Sequence, residues 1–140
     1  MKPHSIVEEY PPNYQDIIKV FNIKGNEVFT YGNVLYNPNK LEIQEHLIIH
    51  EKVHSNQQIK PKEWWDKYLK DKDFRLDQEL EAYIAQFAFI KRVVKESISK
   101  QALDRISSDL ASEMYGNIIS FQDAQTKIRR GARALLETIV

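Results

Sequence analysis

Apolar positions along this chain fall into two short β-type runs followed by a succession of longer stretches with helical spacing. Pro11-Pro12-Asn13 punctuates a start, Asn13 is placed to cap a short helix from Gln15 to Phe21, and Lys24-Gly25-Asn26 ends it. Residues Glu27 to Tyr31 and Val34 to Asn37 flank Gly32-Asn33, and a Gly-X pair between such runs predicts a two-residue hairpin turn. Asn37-Pro38-Asn39 breaks the sheet, and a helix is expected from about Leu41 to Gln57. In the segment from Lys60 to Asp73, Trp64, Trp65 and Tyr68 are spaced for the apolar side of a short helix; core packing and a pocket wall are both open to them. From Phe74 to Glu96, Leu76, Leu80, Tyr83, Ile84, Phe87, Ile90 and Val94 fall on one broad face. Lys100 to Glu113 reads as a further helix, Tyr115-Gly116-Asn117 as a turn, and Ser120 with Asp123 as the start of a helix from Phe121 to Arg130. The expected fold class is α+β, mainly helical with a small antiparallel sheet.

The helix beginning near Leu41 carries His50-Glu51-Lys52-Val53-His54, an HExxH pattern, directly after the apolar Leu47-Ile48-Ile49. Residues four apart on an α-helix are offset by only about 40°, so both imidazoles can reach one ion. Glu51 then stands beside the open side of that ion, where it can take a proton from bound water. His46 lies one turn earlier on nearly the same face. It is eight residues from His54, about 12 Å along the axis, too far for both to bind one ion. His46 is therefore read as a packed or hydrogen-bonding residue. The ordinary alternative leaves His50 and His54 as half-buried helix residues and Glu51 as a solvated one.

A catalytic zinc needs a third protein ligand and keeps its fourth position for water. The helix from Phe74 offers Glu79 and Glu81. At 100° per residue Glu79 lies beside the apolar face near Tyr83, whereas Glu81 points toward the Asp77 and Ala88 side. A carboxylate at the edge of a buried face is costly unless paired. Zinc would supply the pairing for Glu79; the competing reading is a salt bridge to Arg75 one turn earlier.

HEKVHSNQQ, followed twenty-five residues after His54 by Glu79-Leu80-Glu81-Ala82-Tyr83, resembles the gluzincin clan of zinc metallopeptidases over residues 31–86. That family's pattern is HExxH plus a downstream Glu in an E-x-x-A or E-x-x-x-D setting, and E-x-x-A falls on Glu79 and Ala82, the glutamate that helix geometry favours. The small size is similar to minimal gluzincins of bacteria and phages. The resemblance implies a zincin-like fold, Zn2+ held by His50, His54 and Glu79, Glu51 as general base, and a peptide or protein substrate. Tyr115, before Gly116, is the first candidate for the second oxyanion donor, with Tyr36 and Tyr31 behind it. In zincin folds a sheet edge beside the metal helix binds extended peptide, and Val34 to Asn37 is the expected edge. Where many gluzincins carry an Asp four residues after the ligand Glu, to orient a zinc histidine, this chain has Tyr83. A phenol can accept an imidazole N–H but carries no charge at neutral pH, which lowers the expected ligand basicity or leaves the task to another group.

Composition narrows the alternatives. At 140 residues, 42% hydrophobic and 29% charged, the chain reads as one globular domain with a proper core. It has no cysteine, so thiol catalysis and disulfides are excluded and a zinc site must use nitrogen and oxygen ligands. No stretch approaches the roughly 18 apolar residues of a membrane helix, and Met1-Lys2-Pro3-His4 lacks the apolar core of a signal peptide. The expectation is a soluble cytoplasmic protein without a membrane partner. Twenty Lys and Arg balance twenty Asp and Glu, giving no general pull toward nucleic acid. The cluster of Lys127, Arg129, Arg130 and Arg133 reads as a solvated helix face, with a helical module binding an acidic protein or nucleic acid through this surface as the alternative, which the zero net charge weakens. Four scattered glycines build no phosphate loop, and no G-x-S-x-G turn is present. The rival to an enzyme is a zincin-shaped structural or binding domain of a phage or bacterial assembly that keeps the metal without turnover. Glu51 argues against it, because a structural site has no use for a base.

Overall fold

The apolar runs condense, in a computed structural model that describes residues 5–138, into three short strands, six α-helices and a 3-10 turn. In chain order these are β1 (Ser5–Val7), α1 (Tyr14–Val20), β2 (Phe29–Tyr31), β3 (Val34–Tyr36), α2 (Glu45–Gln57), α3 (Pro61–Lys70), α4 (Lys72–Val93), α5 (Glu96–Leu110), the 3-10 turn Glu113–Tyr115 and α6 (Phe121–Thr138). The α+β expectation holds: the chain is mostly helical with one small sheet.

The sheet is mixed rather than antiparallel. β2 and β3 form the expected hairpin, with Tyr31 opposite Val34 and Gly32 at φ +63° in the two-residue turn. β1, which is too short to show a periodic signal, pairs parallel to β3 with Ile6 opposite Leu35. Hydrogen bonds from Ser5 N to Asn33 O and from Asn37 N to Val7 O fix both ends of that pairing. The strand order β1-β3-β2 makes β3 the central strand. Both of its backbone edges are consumed, so the expected peptide-binding edge at residues 34–37 is not an edge at all.

Other boundaries move for local reasons. Residues 41–44 stay non-helical because the Asn37 side chain clamps Leu41, accepting from its N–H at 3.0 Å and donating to its carbonyl at 2.8 Å, while Lys40 adopts φ +54°. Asn13 occupies the cap position of α1, yet its side chain makes no capping bond and both amide atoms are buried without a partner. Ser120 does cap α6, its Oγ accepting from Asp123 N–H at 3.1 Å. α6 runs eight residues past Arg130, straight through Gly131. A Cβ there would lie 2.4 Å from Ile84 Cδ1, so this glycine serves the close approach of α6 to α4 rather than a helix end.

Two cores flank α4. Phe87, Leu103, Ile106, Leu110 and Ile128 fill the space among α4, α5 and α6. Ile17, Phe29, Trp64, Trp65 and Tyr68 form an aromatic cluster among α1, β2 and α3. The seam of α2 against α4 joins them. Lys127, Arg129, Arg130 and Arg133 are exposed on α6, as a solvated face requires. Among the described residues no helix is long and apolar enough to cross a membrane.

Candidate metal centre

The HExxH helix and α4 bring the three expected ligands together. His50, His54 and Glu79 are buried at the α2–α4 seam, and one ligand atom from each lies within 4.8 Å of the others. His50 Nε2 is 3.2 Å from Glu79 Oε1, and His54 Nε2 is 3.1 Å from Glu79 Oε2. Arg75 does not pair with Glu79. It donates to the carbonyls of Tyr68 (2.9 Å), Leu69 (3.0 Å) and Tyr115 (2.8 Å), so its buried charge is met by the C-terminal end of α3 and by the 3-10 turn. Glu81 is exposed, as read from the sequence, and accepts from Gln57 Nε2.

The donor set fits a divalent cation. Each imidazole turns Nδ1 outward, His50 to Gln86 Oε1 at 3.0 Å and His54 to Gln57 Oε1 at 2.7 Å, and presents Nε2 to the centre. Glu79 Oε1 is buried and has no hydrogen bond, although His50 Nε2 is near: the contact is close but misaligned for a donor. Tyr68 donates its phenol to Glu79 Oε2 at 2.5 Å. A buried carboxylate oxygen without a donor costs on the order of 1–3 kcal/mol or more. A cation facing it and two imidazole nitrogens would remove that cost, and two nitrogens with one carboxylate are a zinc-compatible set.

The protein groups alone polarise the site strongly. Burial favours a neutral Glu79, but the charge on His54, followed by the contacts to both imidazoles, outweighs it and holds the carboxyl far below its usual range. For His54, burial favours the neutral ring; Glu79 first, and Glu51 further off, overcome this and raise it to about 9. A proton on His54 thus neutralises Glu79 in the protein by itself.

Glu51 sits beside this cluster. Thr30 Oγ1 donates to Glu51 Oε1 at 2.9 Å, and Glu51 Oε2 lies 3.8 Å from His50 Nε2. Thr30 is itself anchored, since its carbonyl accepts from both Gln58 Nε2 and Trp65 Nε1 at 3.0 Å. Gln58 Oε1 also accepts from Gly32 N–H at 2.7 Å. The Gln58 amide therefore occupies the place of a neighbouring strand's peptide group along the outer edge of β2.

A cavity of about 100 Å³ adjoins the cluster, with Ile17, Phe29, Trp64, Trp65 and Tyr68 in its wall. The two tryptophans thus serve both the core and the pocket. Tyr115 lines it too, its hydroxyl 2.8 Å from that of Tyr83. Tyr31 borders a separate depression and Tyr36 lies on β3 away from the cavity wall, so neither stands beside the ligands. Tyr83 does not take an imidazole N–H; its ring packs edge-on against His50 at 4.5 Å. The orienting groups are Gln86 and Gln57, and Tyr68 holds the carboxylate. Gln86 could have been noticed as a polar residue between Tyr83, Phe87 and Ile90 on the apolar face of α4, two turns after Glu79.

Comparison with protein-family models, curated proteins and solved structures finds no match for this chain.

Proposed function

We propose that this chain is a zincin-like, zinc-dependent peptidase in which His50, His54 and Glu79 hold the ion and Glu51 is the general base. The observation that carries this reading is the undonated, buried Glu79 Oε1 facing two imidazole nitrogens, with a second carboxylate, Glu51, alongside. Zinc bound there would supply Lewis-acid polarisation of a carbonyl and a water that ionises near pH 7.

The protein's own groups then have distinct tasks. Thr30 keeps Glu51 Oε1 occupied, so Oε2, on the ligand side, is the oxygen that takes a proton from water. A C–O bond forms at the substrate carbonyl, the C–N bond breaks, and Glu51 returns the proton to the departing amine. The Tyr83 and Tyr115 hydroxyls lie 2.8 Å apart and either can donate; with Tyr83 as the donor, the Tyr115 hydroxyl proton would be free for the oxyanion, which makes Tyr115 the candidate second donor. The apolar cavity wall excludes water and strengthens these interactions.

The capped edge of β2 favours a second reading, a metal-holding zincin-like domain that binds a protein partner in an assembly without turnover. A peptide library incubated with the zinc-loaded protein and read by mass spectrometry separates the two. Cleavage lost in Glu51→Gln with zinc retained supports the peptidase; an uncut library with stoichiometric zinc supports the binding domain.

A further inference from the structure

Beyond the ligands, the hydrogen bonds of the outer groups carry directional information. Gln57 is fixed by obligate acceptors: its Nε2 donates to the Gln78 carbonyl and to Glu81 Oε1, both at 3.0 Å. Its Oε1 therefore faces His54 Nδ1, which must carry the proton. The tautomer of His54 is set by a backbone carbonyl and a carboxylate, neither of which can reverse.

His50 is oriented differently. Its Nδ1 meets Gln86 Oε1 at 3.0 Å, and Gln86 Nε2 meets not an obligate acceptor but His46 Nδ1, at 2.8 Å. His46 Nε2 in turn lies 2.8 Å from Gln44 Oε1. An amide NH2 only donates and an amide oxygen only accepts. His46 must then accept at Nδ1 and donate from Nε2, and all links of the chain agree. Burial, followed by the Arg105 charge, holds His46 below its ordinary value, consistent with a neutral accepting ring.

We propose that Gln86 and His46 are positioning residues for the metal centre: a hydrogen-bond chain of one polarity, Gln44–His46–Gln86–His50, holds His50 in the tautomer whose Nε2 lone pair faces Glu79. The inference rests on the metal reading above. Reversing the Gln86 amide would put the His50 proton on Nε2, against a bound ion, and it requires His46 to change tautomer as well. Gln86 is buried, so water is a poor substitute partner. The Gln86 amide can reverse only if His46 also changes tautomer, so the state of His46 reports the polarity of the whole chain.

The test uses zinc as the probe on the full chain. Competition with a chromophoric chelator gives the zinc Kd, and nitrogen-15 NMR of the imidazoles gives their tautomers. The chain predicts an Nε2–H form for His46 and about a tenfold weaker zinc Kd in His46→Phe. His46→Asn should retain most of the affinity, because its amide oxygen stands near the place of Nδ1. In a Gln86→Glu background the His46→Phe loss should vanish, since a carboxylate accepts from His50 whatever lies behind it. A structural role for His46 would not produce that non-additivity. An Nδ1–H form of His46, or equal Kd for His46→Phe and the unmodified protein, overturns the inference. Failure of the unmodified protein to bind zinc overturns the metal reading itself, and the first titration distinguishes that failure from the other two.

Discussion

Thr30 on β2 donates its hydroxyl to Glu51 Oε1 on α2 across 2.9 Å, tying to the sheet the carboxylate whose other oxygen lies 3.8 Å from His50 Nε2. Replacing Thr30 by Val keeps the shape and removes the donor. A hydrogen bond to a charged group is worth about 1.5–3 kcal/mol, so Thr30→Val should cut peptide cleavage by about tenfold or more while zinc content stays at the unmodified level. Thr30→Ser should restore most of it. Equal rates for the Val and Thr proteins would remove Thr30 from the account.

Zinc binding must displace the proton that Glu79 draws onto His54. With His54 raised to about 9, apparent zinc affinity should climb about tenfold per pH unit from 7 to 9 and level off above that. Glu79 is ionised throughout this interval and adds no slope. Chelator competition at pH 7, 8 and 9 measures the climb, and a flat profile would contradict it.

The same pair sets the stability of the metal-free protein. His54 moves from 6.5 to about 9 on folding, so its contribution is complete below pH 6.5 and is lost as pH rises through 9. Glu79 moves the other way, so its contribution is present above pH 4.5 and lost on acidification. Chelator-treated protein should be most stable between about pH 5 and 6.5 and should lose on the order of 3 kcal/mol by pH 10. Urea unfolding at pH 6 and pH 10 checks this. His54→Ala should abolish the alkaline decline.

Arg75 holds three carbonyls from two elements that carry Tyr68 and Tyr115. Arg75→Met leaves those acceptors buried and should destabilise the fold by about 3 kcal/mol or more in urea. Arg75→Lys should recover only a part, because a point-like ammonium cannot span the three positions of the guanidinium fork. Full recovery by Lys would show that charge alone suffices.

The His50, His54 and Glu79 cluster was legible because helix periodicity fixes which residues share a face: His50 and His54 by their spacing of four, and Glu79 by its place beside Tyr83. Periodicity does not report partners. β1 is three residues long and pairs with a strand about thirty positions away, so the central place of β3 had no local signature. Gln58 caps β2 from the far end of the HExxH helix, a contact made only in three dimensions. Tyr83 stood at the position expected to orient a histidine, but the neighbouring turn of α4 supplies Gln86 for that purpose and leaves the phenol to Tyr115. The helix expected to stop at Arg130 continues through Gly131, whose missing side chain makes room for Ile84, a contact that no local pattern announces.

The proposed zinc site requires the two imidazoles and the Glu79 carboxylate to converge on one ion. Zinc titration of chelator-stripped protein, run in parallel on the unmodified chain and on Glu79→Ala, tests it most directly. One tightly held zinc per chain is expected, with a loss of at least a hundredfold in affinity without the carboxylate. No saturable binding by the unmodified chain, or the same affinity in both, would contradict it.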